Sequence, residues 1–260
     1  MMHYDIEAAE PRHHLVQFYR SNESALAENI TRYFAEGLRR GEGCVAVAAA
    51  GRREALMTEL QRRGADLPAA LRQGRFIALD AQETLARFMV DGQPDWEAFD
   101  STVGATIRAV RERTDFLPLR AYGEMVGILW QAGERAAAVR LEEYWNTLLN
   151  GDDFSLLCGY PIDIFSDDFE IRALDAVLCA HTHVLPGGDQ LDAAIEVAMD
   201  EVLGLRANGL KSLMKANFRP SWAQLPASQA RILWLRNNLP EYAGDILTRA
   251  RQHYDGAAAL

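Results

Sequence analysis

Along this chain, short apolar runs alternate with longer stretches in which apolar residues recur every three or four positions, a repeated switch between strand and helix periodicity. After a polar lead over 1–12, residues 13–19 read as a strand ending in the turn-prone segment 20–24, where Ser24 can cap the next helix. Leu26, Ile30, Tyr33, Phe34 and Leu38 mark a helix over 25–40, which Gly41 and Gly43 terminate. A continuously apolar strand over 44–49 follows, then a helix over 52–63 and a strand over 75–80 after the break at Gly74. The alternation repeats with a helix over 96–113, a strand through Arg120, a helix over 133–150 and a strand over 154–161 stopped by Pro161. Strands separated by helices of ten or more residues predict an α/β fold, a three-layer domain with a mainly parallel sheet covered on both faces, over about the first 185 residues.

The pattern changes past Pro186, Gly187 and Gly188, where helical periodicity continues without a strand. Helices are expected over 190–205, with Leu191, Ile195, Val197, Met199 and Val202 as its apolar positions, and over 228–238 and 241–254; Pro220, Pro226 and Pro240 punctuate them. The organisation expected is therefore a polar lead (1–12), an α/β domain (13–186) and a C-terminal helical extension (190–256). Trp222 and Trp234 are candidate anchors for a partner if the extension exposes them.

The run 117–125 concentrates polar chemistry. Arg120, Tyr122 and Glu124 alternate, so an extended backbone projects them from one side of a strand end, and Gly123 admits close backbone approach. The same spacing also suits an Arg–Glu pair closing the edge of a core. Tyr19, Arg120, Tyr122, Glu124 and Tyr160 all fall near predicted strand ends, where ligands settle in open parallel sheets. His14 joins them as a ligand or hydrogen-bonding residue, while His13 points to the opposite face. Arg20, beside the start of the first helix, can hold a small anion, and Trp130, Tyr144 and Trp145 line either a pocket or the core.

Other polar residues read as structural. Glu142 and Glu143 share a predicted helix with Arg135 and Arg140, which suggests a charge-compensated solvent face. The acidic pairs Asp152–Asp153 and Asp167–Asp168 read as caps. His181 and His183 share a face if extended, with Cys179 nearby, but this set is too small for a zinc site, and neither a metal nor another cofactor is expected. No Ser-His-Asp or Cys-His arrangement assembles from local motifs, so no catalytic residues are assigned.

Composition narrows the setting. Hydrophobic residues make up 49% of the 260, enough for a large core, and a net charge of -10 argues against nucleic acid as the main partner. The scattered Cys44, Cys158 and Cys179, the polar start and the absence of a long apolar run point to a cytoplasmic, reducing setting away from membranes.

Taken in order, His14 with Phe18 and Tyr19, Gly37-Leu38 before Gly41-Glu42, the Arg120-x-Tyr-Gly-Glu-Met run, Trp130, 142–146, and Leu157-Cys158-x-Tyr160 resemble the MEDS family, the methanogen/methylotroph sensory domain. The resemblance implies a degenerate relative of RecA/KaiC-type ATPases that senses small organic molecules in signalling proteins. The phosphate loop of such ATPases is missing: segment 20–24 has neither glycine nor lysine, and no Gly-x-x-x-x-Gly-Lys-Ser/Thr occurs anywhere. The expectation is thus a non-enzymatic regulator that binds a small-molecule ligand or a signalling protein partner, with self-association plausible by analogy of fold. The alternatives are a divergent nucleotide-binding protein or ATPase that uses Glu124 to position water, and a scaffold whose pocket is filled by its own side chains. The ligand-binding set expected is His14, Tyr19, Arg20, Arg120, Tyr122, Glu124, Trp130 and Tyr160.

Overall fold

The structure, a computed structural model, describes residues 4–20, 23–167, 169–186, 190–216 and 225–258. Its strands are β1 (His14–Phe18), β2 (Gly43–Ala48), β3 (Phe76–Asp80), β4 (Met89–Val90), β5 (Gln93–Pro94), β6 (Leu119–Gly123), β7 (Phe154–Tyr160) and β8 (His183–Val184). Among the described residues, six of these form one sheet in the order β3-β2-β6-β7-β1-β8, parallel throughout, while β4 and β5 make a small hairpin. The central strands β1, β2, β6 and β7 are buried along their whole length, which is why their sequences are apolar runs rather than strict alternations.

The helices are α1 (Glu23–Arg39), α2 (Ala50–Arg62), α3 (Leu67–Arg72), α4 (Ala81–Ala86), α5 (Trp96–Phe99), α6 (Ala105–Arg113), α7 (Met125–Gln131), α8 (Arg135–Gly151), α9 (Ile171–Ala180), α10 (Gln190–Leu203), α11 (Ala207–Ala216), α12 (Ala227–Asn238) and α13 (Pro240–Ala258). One core joins α1, α2 and α3 to the face of the sheet that carries Leu15, Cys44, Ala46, Tyr122 and Leu157. The other joins α4 to α13 to the face that carries Val16, Val47, Ala121, Leu156 and Cys158. The expected three layers are present.

The structure departs from the sequence pattern where segments are short or wholly buried. Helices α3 and α4 are too brief to show a period, though Asp66 and Asp80 cap them as N-terminal acceptors, as Asp95 caps α5. The helix expected over 96–113 is interrupted by a π-helical turn, Asp100–Gly104, which carries the Asp100 carboxylate paired with Arg108 at 2.9 Å. Helix α7 was invisible as a period because Met125, Val126, Gly127, Leu129 and Trp130 are all buried. Asp152 does not cap a following segment: it closes the C-terminus of α8, its amide donating to the Leu148 carbonyl, and its carboxylate accepts from Arg111 at 3.0 Å. Asp167 pairs with Arg236 at 2.9 Å, and Asp168 lies outside the described residues.

The C-terminal helices share the sheet's larger core rather than standing apart from it. Leu191, Ile195 and Met199 of α10 are buried there, while Val197 faces out, 44% exposed. Gln229 donates to the Leu185 carbonyl at 3.2 Å, and Arg236 donates to those of Phe165 and Ser166 at 3.0 and 2.6 Å. Trp234 is buried, so it is core and not an exposed anchor; Trp222 lies outside the described residues.

Candidate functional sites on the two faces of the sheet

The alternating residues of β6 do not form one constellation. Arg120 is the second residue of the strand, paired with Cys44 near the amino edge, whereas Glu124 follows the strand's carboxyl end. Arg120 is 1% exposed and all its polar atoms turn inward. Its Nε donates to Glu42 Oε2 at 2.6 Å, Nη1 to the carbonyls of Ile6 and Tyr33 at 3.2 and 3.1 Å, and Nη2 to that of Glu7 at 2.8 Å. Gly37 makes this possible, since a Cβ there would stand 2.8 Å from Arg120 Cδ. Arg120 therefore clamps the N-terminal segment and α1 to the sheet, away from the remaining candidates. The Arg–Glu pairing expected from spacing exists, but the partner is Glu42 from the α1–β2 turn.

Tyr122 and Glu124 do meet, at the carboxyl edge. Tyr122 donates to Glu124 Oε1 at 3.0 Å, the Ala49 amide donates to Glu124 Oε2 at 2.7 Å, and Arg52 Nε donates to Glu124 Oε1. The Arg52 guanidinium lies over the Tyr19 ring at 5.0 Å. Burial pushes the Tyr122 phenol well above its ordinary range and the nearby Glu124 charge adds to it; Tyr19, half-buried, is raised for the same two reasons. Strand β2 continues into α2 on one face and its neighbour β6 into α7 on the other, so the gap at their ends is a topological switch point. Arg52 also lines a groove of about 690 Å³ between α1 and α2, with Ile30 and Leu56 as aliphatic lining and Glu23, Glu28 and Glu59 as acids. Arg20 is exposed on the loop after β1.

A second polar cluster is sealed on the opposite face, between the sheet, α8 and α9. His14 from β1, Cys158 from β7, Glu142 from α8 and His181 at the end of α9 are all buried, with one potential ligand atom from each lying within 4.8 Å of the others. His14 Nε2 stands 3.3 Å from Glu142 Oε2 and 3.4 Å from Cys158 Sγ, and His181 Nε2 stands 3.4 Å from Glu142 Oε1. Tyr160 donates to Glu142 Oε1 at 2.6 Å, and Trp130 packs edge-on against the Tyr160 ring with centroids 5.4 Å apart. Burial pushes the Glu142 carboxyl up, while the Tyr160 hydroxyl donating to it, and any charge carried by the imidazoles of His181 and His14, pull it down. Burial and the neighbouring His14 push His181 down to about 4, so its ring is neutral. The Cys158 thiol is raised well above its ordinary range, by burial first and then by Glu142.

Two sequence expectations are corrected here. Glu142 is not on a solvent face: Ala138, Leu141 and Trp145 surround it on the buried side of α8. His181, His183 and Cys179 do not converge, because Cys179 is exposed and His183 stacks outward against His13 and Tyr4 while His181 turns into the core. Sequence reasoning also missed Arg52, an arginine among several on a polar helix, and Glu42. The legible signal for the sealed cluster was Cys158-x-Tyr160 on one face of a strand beside that of His14.

A family model described as MEDS, the methanogen/methylotroph, DcmR sensory domain, matches residues 13–182, more than half of the chain. No curated protein and no solved structure gives a significant match.

Proposed function

The chain belongs to the MEDS family of sensory domains, and on that footing we propose that it is a non-enzymatic signalling protein that binds a small organic molecule in the groove between α1 and α2. The observation that carries this reading is the position of Arg52, which lines a groove of about 690 Å³ and at the same time holds Glu124 at the switch point of the sheet. That volume lies in the range of small-molecule sites, and the mix of aliphatic lining with one cation and three acids suits a mostly apolar molecule with a polar end. Glu124 accepts from Tyr122, Ala49 and Arg52 together, so its carboxylate is engaged in structure rather than aimed at a water, which favours sensing over nucleotide hydrolysis.

A path of contacts leads from the groove to the C-terminal helices. Glu124 begins α7, whose Gly127 abuts the Gly159 carbonyl so closely that a Cβ would lie 2.6 Å from the oxygen. Strand β7 then continues into 161–166, gripped by Arg236 from α12 and by Arg251 of α13 through Asp163. A ligand that draws Arg52 away from Glu124 would loosen this path at its origin, and Val197, Leu205 and Leu213 offer exposed apolar surface to a signalling partner at its end.

Native mass spectrometry of the purified chain tests the pocket. A reproducible extra mass that disappears in Ala55→Trp, which fills the groove from an exposed position, supports it. A clean apo mass, together with no shift in melting temperature across a panel of small alcohols, amines, acids and halocarbons, sinks it. No helix among the described residues is long and apolar enough to cross a membrane.

A further inference from the structure

The sealed cluster has a feature that hydrogen bonding alone does not explain. His181 Nδ1 lies 2.6 Å from the Val177 carbonyl, which can only accept, so that nitrogen carries the ring proton and Nε2 carries a lone pair. Buried and without a hydrogen-bond partner among the described residues, that Nε2 faces Glu142. His14 is arranged in the same way. Asn146 donates its amide to the Ala180 carbonyl at 3.1 Å, which turns its Oδ1 toward His14 Nδ1 at 2.9 Å, so the proton of His14 is on Nδ1 and the Nε2 lone pair points into the cluster. Two imidazoles locked by outer acceptors with both lone pairs converging on a thiol and a carboxylate is the arrangement of metal-ligating histidines.

We propose that His14 Nε2, Glu142 Oε2, Cys158 Sγ and His181 Nε2 bind a divalent transition metal, zinc by donor set, in a closed tetrahedral site. In a tetrahedron the ligand atoms stand about 1.6 bond lengths apart, or roughly 3.3–3.8 Å for zinc bonds of about 2.0–2.3 Å. The contacts of 3.3 and 3.4 Å from His14 to Glu142 and Cys158 match that spacing, the 3.9 Å between Cys158 and Glu142 lies just beyond it, and His181 Nε2, within 4.8 Å of the other ligand atoms, closes the site by a small inward shift. Charge fits as well: one thiolate and one carboxylate neutralise a dication, which a site this deeply buried requires. Binding replaces the Cys158 proton with the metal and releases it to solvent, with no change of oxidation state. Tyr160 remains on Glu142 Oε1 and leaves Oε2 for the ion. With four protein ligands and no open position, the ion is structural or regulatory, and it ties β1, β7, α8 and the end of α9 together. Thr182 supports the same junction by donating its amide to the His14 carbonyl at 2.7 Å. This inference stands apart from the groove, which lies on the other face of the sheet.

Because the ligands are buried, loading accompanies folding. The test refolds the full-length, chelator-treated chain with and without Co²⁺ or Zn²⁺, followed by gel filtration and metal analysis. One metal per chain is expected, with the ligand-field bands of tetrahedral cobalt and a thiolate-to-cobalt band in the near ultraviolet. That last band should vanish in Cys158→Ser and persist in Cys44→Ser and Cys179→Ser. Asn146→Ala, which removes the acceptor behind His14 together with the donor to the Ala180 carbonyl but no ligand atom, should weaken Co²⁺ retention against a chelator about tenfold to a hundredfold, and it decides the matter if Cys158→Ser does not fold. A chain with native far-ultraviolet circular dichroism that retains no metal overturns the proposal. So does a thiolate band that survives Cys158→Ser, or an Asn146→Ala chain that holds Co²⁺ as tightly as the parent.

Discussion

Two of the arginine–glutamate pairs on the α1–α3 side of the sheet lie at opposite ends of β6. At the amino edge the Arg120–Glu42 pair is sealed, with the guanidinium side chain 1% exposed and its remaining donors engaged by three backbone carbonyls. At the carboxyl edge Arg52 is 17% exposed, shares Glu124 with a phenol and an amide, and borders a groove. The residue types are the same, but their surroundings make one pair a clamp and leave the other beside the groove in which we propose that a ligand binds. A buried pair whose every nitrogen is already hydrogen-bonded has little to give to a ligand.

The contrast can be broken by mutation. The largest expected effect is that of Arg120→Ala, which leaves the Glu42 carboxylate and the carbonyls of Ile6, Glu7 and Tyr33 without their donor; chemical denaturation should show a loss of about 3–5 kcal/mol. A loss under about 1 kcal/mol would mean that the clamp is not structural. Gly37→Ala presses a methyl into Arg120 Cδ and should cost about 1–3 kcal/mol by the same assay.

Tyr33→Phe sharpens the comparison through pH. Burial raises the Tyr33 phenol above its ordinary 10.0 even though Ser155, at 2.6 Å, and Arg120 oppose the shift. The unfolded chain loses this proton near pH 10 while the folded chain keeps it, so the folded chain binds more protons at higher pH. The stability contributed is complete below pH 10 and declines above it, by up to about 1.4 kcal/mol per pH unit for each such tyrosine. Tyrosinate absorbance from Tyr33 and Tyr122 should therefore appear only with unfolding, and Tyr33→Phe should flatten the alkaline decline in denaturation midpoints. An equal slope in both proteins would contradict this assignment.

The smallest effect on stability is expected for Arg52→Ala, about 1 kcal/mol or less in urea, because solvent and the groove can replace its contacts. The same change should release any small molecule retained by the parent, read as loss of the extra mass under native conditions. A large loss of stability would place Arg52 with Arg120 as a clamp.

What the sequence made legible follows from local physics. The strands from β1 to β7 that form the sheet's interior announce themselves as short apolar runs, and α1, α2, α8, α10, α12 and α13 carry helical spacing or clear breaks at glycine and proline. The short α3 and α4 left only their aspartate caps, and the wholly buried α7 had no polar side to set a period. The polar clusters were harder. His14, Tyr19, Tyr122, Glu124 and Tyr160 were singled out from strand ends, but spacing along β6 placed Arg120 with Tyr122 and Glu124, whereas the structure ties it to the chain's beginning.

The alternation of strands and helices, and with it the parallel three-layer fold, was determined by the sequence alone, because periodicity and turn chemistry act between near neighbours. Tertiary structure alone decided which charges are sealed and which face a groove, and that His14, Glu142, Cys158 and His181 converge. Those contacts join residues from 16 to 144 positions apart, and their distances follow from the strand order and from which face each helix covers, neither of which any local spacing encodes.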